Sequence, residues 1–164
     1  HRQMCITDSP NTKLVIVGDG PARAEVEKQL PHAVFTGGLG GEDLPRAVAS
    51  MDVFCSTGEL ETFCQAVQEA KACGLPVISP RKGGPIDLID PSRTGWLYEP
   101  GDMTDFRSRV VDLVGDDYKR HAMGIAARAS IENRTWENLC AELVEHYKEA
   151  IRLAGRSTRI RAVL

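Results

Sequence analysis

Short, uninterrupted apolar runs alternate with helix-forming stretches along this chain, and most of the runs end in a glycine-bearing loop. Residues 14–17 (Leu-Val-Ile-Val) meet Gly18-Asp19-Gly20-Pro21, and residues 33–36 meet Gly37-Gly38. Residues 53–55 and 77–79 are followed by Ser56-Thr57-Gly58 and by Pro80-Arg81-Lys82-Gly83-Gly84. Residues 95–98 form a fifth run. A strand that is apolar at every position, not at alternate ones, is covered on both faces, as in a parallel sheet between helices. Helices are expected over 22–30, 42–51, 62–73 and 86–89, then 104–114, 117–131 and 135–153. Pro45 must fall in the first turn of its helix, and Gly74 with Pro76 must end the third. Strand–helix alternation of this kind predicts an α/β fold, a Rossmann-like parallel sheet flanked by helices, with a helical C-terminal segment.

In such sheets ligands bind beyond the carboxyl ends of the strands. The loops at 18–21, 36–41, 56–62 and 80–85 are therefore the ones to inspect. Gly18-Asp19-Gly20-Pro21-Ala22-Arg23 has the outline of a dinucleotide fingerprint but departs from it. Arg23 stands where a Gly or Ala would let the helix pack, and Pro21 removes an N–H from the helix start. A phosphate-binding Walker loop, an Asp-x-Asp pair and a Gly-x-Ser-x-Gly elbow are absent from the sequence. His1, His32, His121 and His146 sit in unrelated contexts. No metal site is expected, and the common hydrolase constellations are missing.

Charge narrows the function classes further. Twenty Lys+Arg against 23 Asp+Glu give a formal net charge of −3 over 164 residues, unlike the basic excess of a dedicated nucleic-acid binder. No apolar run approaches the roughly 20 residues of a membrane span. Cys5, Cys55, Cys64, Cys73 and Cys140 are odd in number with no Cys-x-x-Cys pair, which suggests reduced thiols and a cytoplasmic setting. The chain starts with His, not Met, and is expected to be a piece of a longer protein.

The segment 56–70 carries the strongest chemical signal. It sets Glu61 at an expected helix entrance and Glu69 eight residues later. On a continuous helix the two lie roughly 12 Å apart along the axis and about 80° apart around it. That is too far to share a proton or a metal ion, yet suited to holding two ends of one extended ligand. The helix N-terminus between them, near Thr62, Phe63 and Cys64, can hold an anion. The spacing alone equally fits a helix cap at Glu61 and a solvated face at Glu69. Gly83-Gly84 is a second loop at which backbone can approach a ligand, on the same sheet edge.

Together these residues resemble the retaining glycosyltransferases of family 4, with their Glu–seven–Glu motif. Residues 49–54 before it and 69–78 after it are similar too, as are Gly83-Gly84 with Asp87-Leu88-Ile89, Gly95-Trp96-Leu97-Tyr98 and Pro100-Gly101-Asp102. The resemblance spans residues 14–153. It implies the second, donor-binding domain of a GT-B enzyme over 1–153, followed by a basic tail at 154–164. It implies that Glu69 binds ribose hydroxyls and that Glu61 contacts the transferred sugar as the catalytic residue. The backbone at Thr62, Phe63 and Cys64 would hold sugar and phosphate. The loop at Phe35, Gly37 and Leu39 would border the base, with Gly20 at the cleft edge.

The family transfers a hexose with retention from a nucleotide-diphosphate sugar, with no metal or other cofactor. Residues 61–69 and 80–89 resemble the GDP-mannose-dependent α-mannosyltransferases of actinobacterial type, which act on envelope glycolipids. Plant-type sulfoquinovosyltransferases share much of the pattern, so a UDP-sugar donor is the alternative, and a GT-B sugar-nucleotide epimerase is a further one. The strand that opens the donor domain in this family, with the loop that supplies an Arg and a Lys to the diphosphate, has no expected counterpart ahead of Leu14, since Arg2 and Lys13 stand in a different context. The partners implied are the sugar nucleotide and a glycolipid or glycan acceptor, with no nucleic acid. Arg152, Arg156, Arg159 and Arg161 suit either a solvated tail or peripheral contact with an anionic membrane.

Overall fold

The computed structural model describes residues 12–156. In chain order these form β1 (Val15–Val17), α1 (Arg23–Gln29), β2 (Val34–Gly37), α2 (Asp43–Ala49), β3 (Phe54–Cys55), α3 (Gln65–Ala72), β4 (Val77–Pro80), α4 (Pro85–Leu88), β5 (Gly95–Tyr98), α5 (Met103–Val114), α6 (Asp117–Ile131) and α7 (Trp136–Arg156). Every strand pairing is parallel, as continuous apolar runs separated by helices require.

The strands form two sheets. β1 pairs with β2, placing Val15 opposite Val34 and Ile16 opposite Phe35. β3, β4 and β5 form the second, in that order. The sequence leads to one continuous sheet; among the described residues β1 hydrogen-bonds only to β2 and β3 only to β4, so the ladder is interrupted there.

β4 is buried at all four positions, and its alternating side chains serve two cores. Val77 packs in one cluster with Val67 and Ala70 of α3 and Leu97 of β5. Ile78 packs in the other with Tyr98, Phe106, Val110 and Leu113. Fully burying a Leu or Ile side chain stabilises the fold by about 1.5–3 kcal/mol, so these two layers hold β4 as the fixed rail from which its loop projects.

The helix ends follow local chemistry. Pro45 is the third residue of α2, where its missing N–H would have had no helical partner. Asp102 caps α5 by accepting from the N–H groups of Thr104 (2.9 Å) and Asp105 (3.0 Å). α5 is further pinned by Trp96, whose Nε1 donates to Asp112 at 2.9 Å while the Arg109 guanidinium lies 4.8 Å from the ring centre.

The described residues divide into one compact unit up to Ser130 and a second from Ile131 onward. α7 belongs to the second and continues to Arg156, beyond the boundary expected at 153. Trp136, Leu143, Val144, Tyr147 and Ile151 recur along it at helical spacing. Among the described residues no helix is long and apolar enough to cross a membrane. Arg159 and Arg161 of the basic tail lie outside the described residues, as do His1 and Cys5.

Candidate functional site

The loop after β3 departs from the expected helix. α3 begins at Gln65, not at 62, because Cys64 adopts left-handed backbone angles (φ 55, ψ 49) and serves as the cap residue. Such a residue cannot continue a right-handed helix. The first helical hydrogen bond here is from Gln68 N–H to the Cys64 carbonyl, 3.1 Å. The N–H groups at the helix entrance are consequently those of Gln65, Ala66 and Val67, with Thr62 and Phe63 in the loop before it. The axial spacing of a continuous helix does not describe Glu61 and Glu69, since only the segment from 65 to 69 is helical.

Two loops meet at this entrance. Gly84 N–H donates to the Glu61 carbonyl at 2.9 Å. Gly83 has φ +65, and a Cβ there would stand 2.5 Å from the same carbonyl oxygen. A Cβ on Gly84 would overlap the Thr62 carbonyl oxygen and lie 2.8 Å from Cys64 Sγ. Glycine at both positions is thus what lets the β4 loop lie flat against the β3 loop. Lys82 Nζ adds an ion pair to Glu59, 3.1 Å, across the same two loops.

Glu61 is exposed, and its carboxylate lies beside Gly58, where a Cβ would be 3.0 Å from Oε1. Glu69 is exposed one turn into α3 and accepts a hydrogen bond from Gln65 Nε2 at 3.0 Å. Gln68 Nε2 donates to the Phe63 carbonyl at 2.7 Å, tying the loop to the helix. Cys64 is buried, and burial pushes its thiol pKa up, with the Glu61 and Asp87 carboxylates adding to the effect. The thiol is therefore protonated at neutral pH and acts as packing, not as a nucleophile.

The structure thus brings Glu61, Thr62 and Cys64 together with Gly83 and Gly84, and sets Glu69 on the adjoining helix. The other expected site residues lie on the β1–β2 sheet and its loops: Gly20 follows β1, Phe35 stands within β2 opposite Ile16, Gly37 ends β2 and Leu39 lies in the loop after it. Gly20 N–H donates to Asp19 Oδ1 at 2.8 Å. Gly37 closes β2 with φ +72, and its carbonyl accepts from Gly18 N–H at 2.9 Å. Phe35 and Leu39 are half-buried.

Sequence reasoning missed Gln65, Gln68 and Lys71. The i, i+4 spacing of Gln65 and Glu69 was available as a signal. Lys71 is buried, at 2% exposure, and its Nζ donates to the Leu88 carbonyl at the end of α4. Its place on the same helical face as the buried Val67 was the signal there.

Comparison with known proteins places the chain in a family. A protein of Mycobacterium tuberculosis (strain CDC 1551 / Oshkosh) named GDP-mannose-dependent alpha-mannosyltransferase is 52% identical over 147 residues, covering 89% of this chain and 37% of the relative. One of the same name from Corynebacterium glutamicum is 45% identical over 144 residues, covering 88% and 35%. The chain thus spans about a third of the length of these relatives. Among solved structures, Anabaena Alr3699/HepE in complex with UDP superposes with a TM-score of 0.75 at 22% identity, covering 85% of this chain and 42% of that one, a likeness of fold. The family model described as "Glycosyl transferases group 1" matches residues 2–130, well over half of the chain, and the chain belongs to that family.

Proposed function

We propose that this chain is the donor-binding part of a retaining hexosyltransferase that moves mannose from GDP-mannose to a glycolipid or glycan acceptor. The observation that carries the reading is the clamped entrance of α3, with Glu61 held by Gly84 on one side and Glu69 presented one turn into the helix on the other. The 45–52% identity to relatives named as GDP-mannose-dependent supports the choice of donor.

In this reading Glu69 accepts hydrogen bonds from the ribose hydroxyls. Glu61 accepts from hydroxyls of the transferred sugar and steadies the charge that develops as the glycosidic bond breaks. The backbone at Thr62, Phe63 and Cys64, with the first N–H groups of α3, faces the diphosphate. Phe35, Gly37 and Leu39 border the base, and Gly20 lies at the cleft edge. The bond from the anomeric carbon to the phosphate oxygen breaks, and the bond to the acceptor oxygen forms on the same face. The acceptor proton passes to the departing phosphate oxygen, so GDP leaves with that proton. Positioning supplies most of the rate enhancement, and no metal or enzymic nucleophile is needed. The setting proposed is cytoplasmic, with an acceptor at the inner membrane face.

Calorimetric titration of the full-length protein with GDP-mannose and with UDP-glucose tests the donor. Tighter binding of GDP-mannose is expected, together with transfer that withstands EDTA. A preference for UDP-glucose would replace the donor assignment with the UDP-sugar reading. Glu69→Ala should weaken donor binding on the order of tenfold or more, the loss of a charged hydrogen-bond partner. Unchanged affinity in that variant would remove Glu69 from the site.

A further inference from the structure

We infer that Lys71 is a positioning residue that couples the two acidic groups of the site. The inference rests on the proposed reading of Glu61 and Glu69 as donor-binding groups. Lys71 lies on α3, two residues beyond Glu69. Its ammonium donates to the Leu88 carbonyl, the last of α4 and one that no helical N–H can satisfy. α4 starts at Pro85, directly after Gly84, and Gly84 in turn holds the Glu61 carbonyl. These contacts form a closed circuit from Glu69 through α3, Lys71, Leu88, α4 and Gly84 to Glu61. Lys71 is the side chain that closes it.

Packing alone does not account for a lysine here. Its helix neighbours Val67 and Ala70 are buried and apolar, and a buried ammonium carries a desolvation cost that an apolar side chain of similar length would avoid. What the ammonium supplies is a directional tie between α3 and α4. Without it α4, only four residues long, loses an anchor at the end opposite the glycines. The spacing between Glu61 and Glu69 then loosens, although each carboxylate keeps its local partners.

Lys71→Met separates this role from a merely structural one. Three quantities are measured: the melting temperature, the hydrogen-exchange rate of the Gly84 amide without ligand, and the affinities of the full-length protein for GDP-mannose and for GDP. The variant is expected to melt as high as the native protein or higher. Its Gly84 amide should exchange faster on the order of tenfold, and its GDP-mannose affinity should fall by a similar factor, a positioning loss. GDP, which engages Glu69 but not Glu61, should bind as before. Equal weakening of GDP and GDP-mannose, or an unchanged Gly84 amide, would overturn the inference. A native protein that binds neither nucleotide would instead overturn the donor reading, while the exchange rate still decides whether Lys71 holds Gly84. Should the Met variant fail to fold, Lys71→Gln, which keeps a shorter donor, is measured the same way and should give an intermediate exchange rate.

Discussion

The Gly84 N–H donates to the carbonyl oxygen of Glu61 at 2.9 Å, joining the loop after β4 to the loop after β3. Both loops leave the carboxyl edge of one sheet, so this single hydrogen bond fixes where an exposed carboxylate stands relative to the entrance of α3. The contact is backbone to backbone and leaves no room for a side chain on its donor.

Gly84→Ala follows directly. The new methyl would overlap the Thr62 carbonyl and stand 2.8 Å from Cys64 Sγ. Neither obstacle is the free end of a flexible chain. Overpacking of this sort costs about 1–3 kcal/mol. The variant should melt several degrees lower and lose more donor affinity than stability, because the segment displaced carries Glu61. Thermal melting with and without GDP-mannose measures both. A variant with native melting and a native ligand-induced shift would show that the two loops are not clamped.

Cys64 is a non-glycine residue in left-handed conformation, with φ 55. Holding an L-residue there costs roughly 1–2 kcal/mol, which Cys64→Gly recovers while losing the packing of a buried thiol. The two effects oppose, so Gly should sit within about 1 kcal/mol of the native protein. Cys64→Val adds a β-branched side chain at the same φ and should be destabilised by more than about 2 kcal/mol. Chemical denaturation of the two variants compares them, and a Val variant as stable as the Gly variant would contradict the left-handed cap.

Much of the β3–β4–β5 half of the fold is legible because its central strand β4 is covered on both faces, whereas β1 is half-buried and β2 is exposed at alternate positions. Residues 77–80 are buried throughout, which is why the run at 77–79 is apolar without alternation. α6 occupies 117–131 as its pattern predicts, since a long amphipathic helix averages over local exceptions. The start of α3 is different. Nothing in a cysteine announces positive φ, so the helix pattern runs on to 62 in the sequence and stops at 65 in the structure. Partner choice between strands is equally hidden, because whether β1 and β3 share a ladder depends on non-local geometry that runs of three and two residues do not encode. Glu61 and Glu69 were visible as a spacing. The glycine clamp that orients Glu61 was visible only as a loop, and the lysine strut behind it was not singled out.

Asp112 gives a pH prediction. The Lys119 ammonium, hydrogen-bonded to its carboxylate, holds its pKa below the usual range, with Trp96 Nε1–H assisting and burial opposing. A carboxyl with a depressed folded-state pKa favours the fold once pH exceeds its unfolded value, about 3.9. That contribution is lost as pH falls through the lower, folded value. Asp112→Asn should therefore be less stable than native at pH 7, with the difference shrinking in acid. Urea titrations at neutral and acidic pH check it, and a gap that stays constant would exclude Asp112 from the acid limb.

Ser79 is fully buried in β4, and its hydroxyl has no hydrogen-bond partner among the described residues. A buried polar atom left in this way costs about 1–3 kcal/mol of desolvation. Ser79→Ala removes the atom with little change in volume. The variant should be as stable as native or more so by about 1 kcal/mol. Differential scanning calorimetry reads the sign, and a clear loss of stability would mean that the hydroxyl is satisfied in solution.

Gln65 separates positioning from stability at the other acidic group. Its amide donates to Glu69 at 3.0 Å on the exposed side of α3, one turn earlier. Side-chain pairs at this spacing contribute about 0.2–0.5 kcal/mol to a helix. Gln65→Leu should therefore leave the melting temperature almost unchanged. The carboxylate of Glu69, released from its neighbour, must then be ordered by the ligand itself, and immobilising such a side chain costs about 0.5–1.5 kcal/mol. Donor affinity should fall roughly two- to tenfold, the equivalent of that cost. Titration of the full-length variant with GDP and with GDP-mannose should show the same loss for both, because Glu69 is read as a ribose ligand. A loss confined to GDP-mannose would move Glu69 from the nucleotide to the sugar.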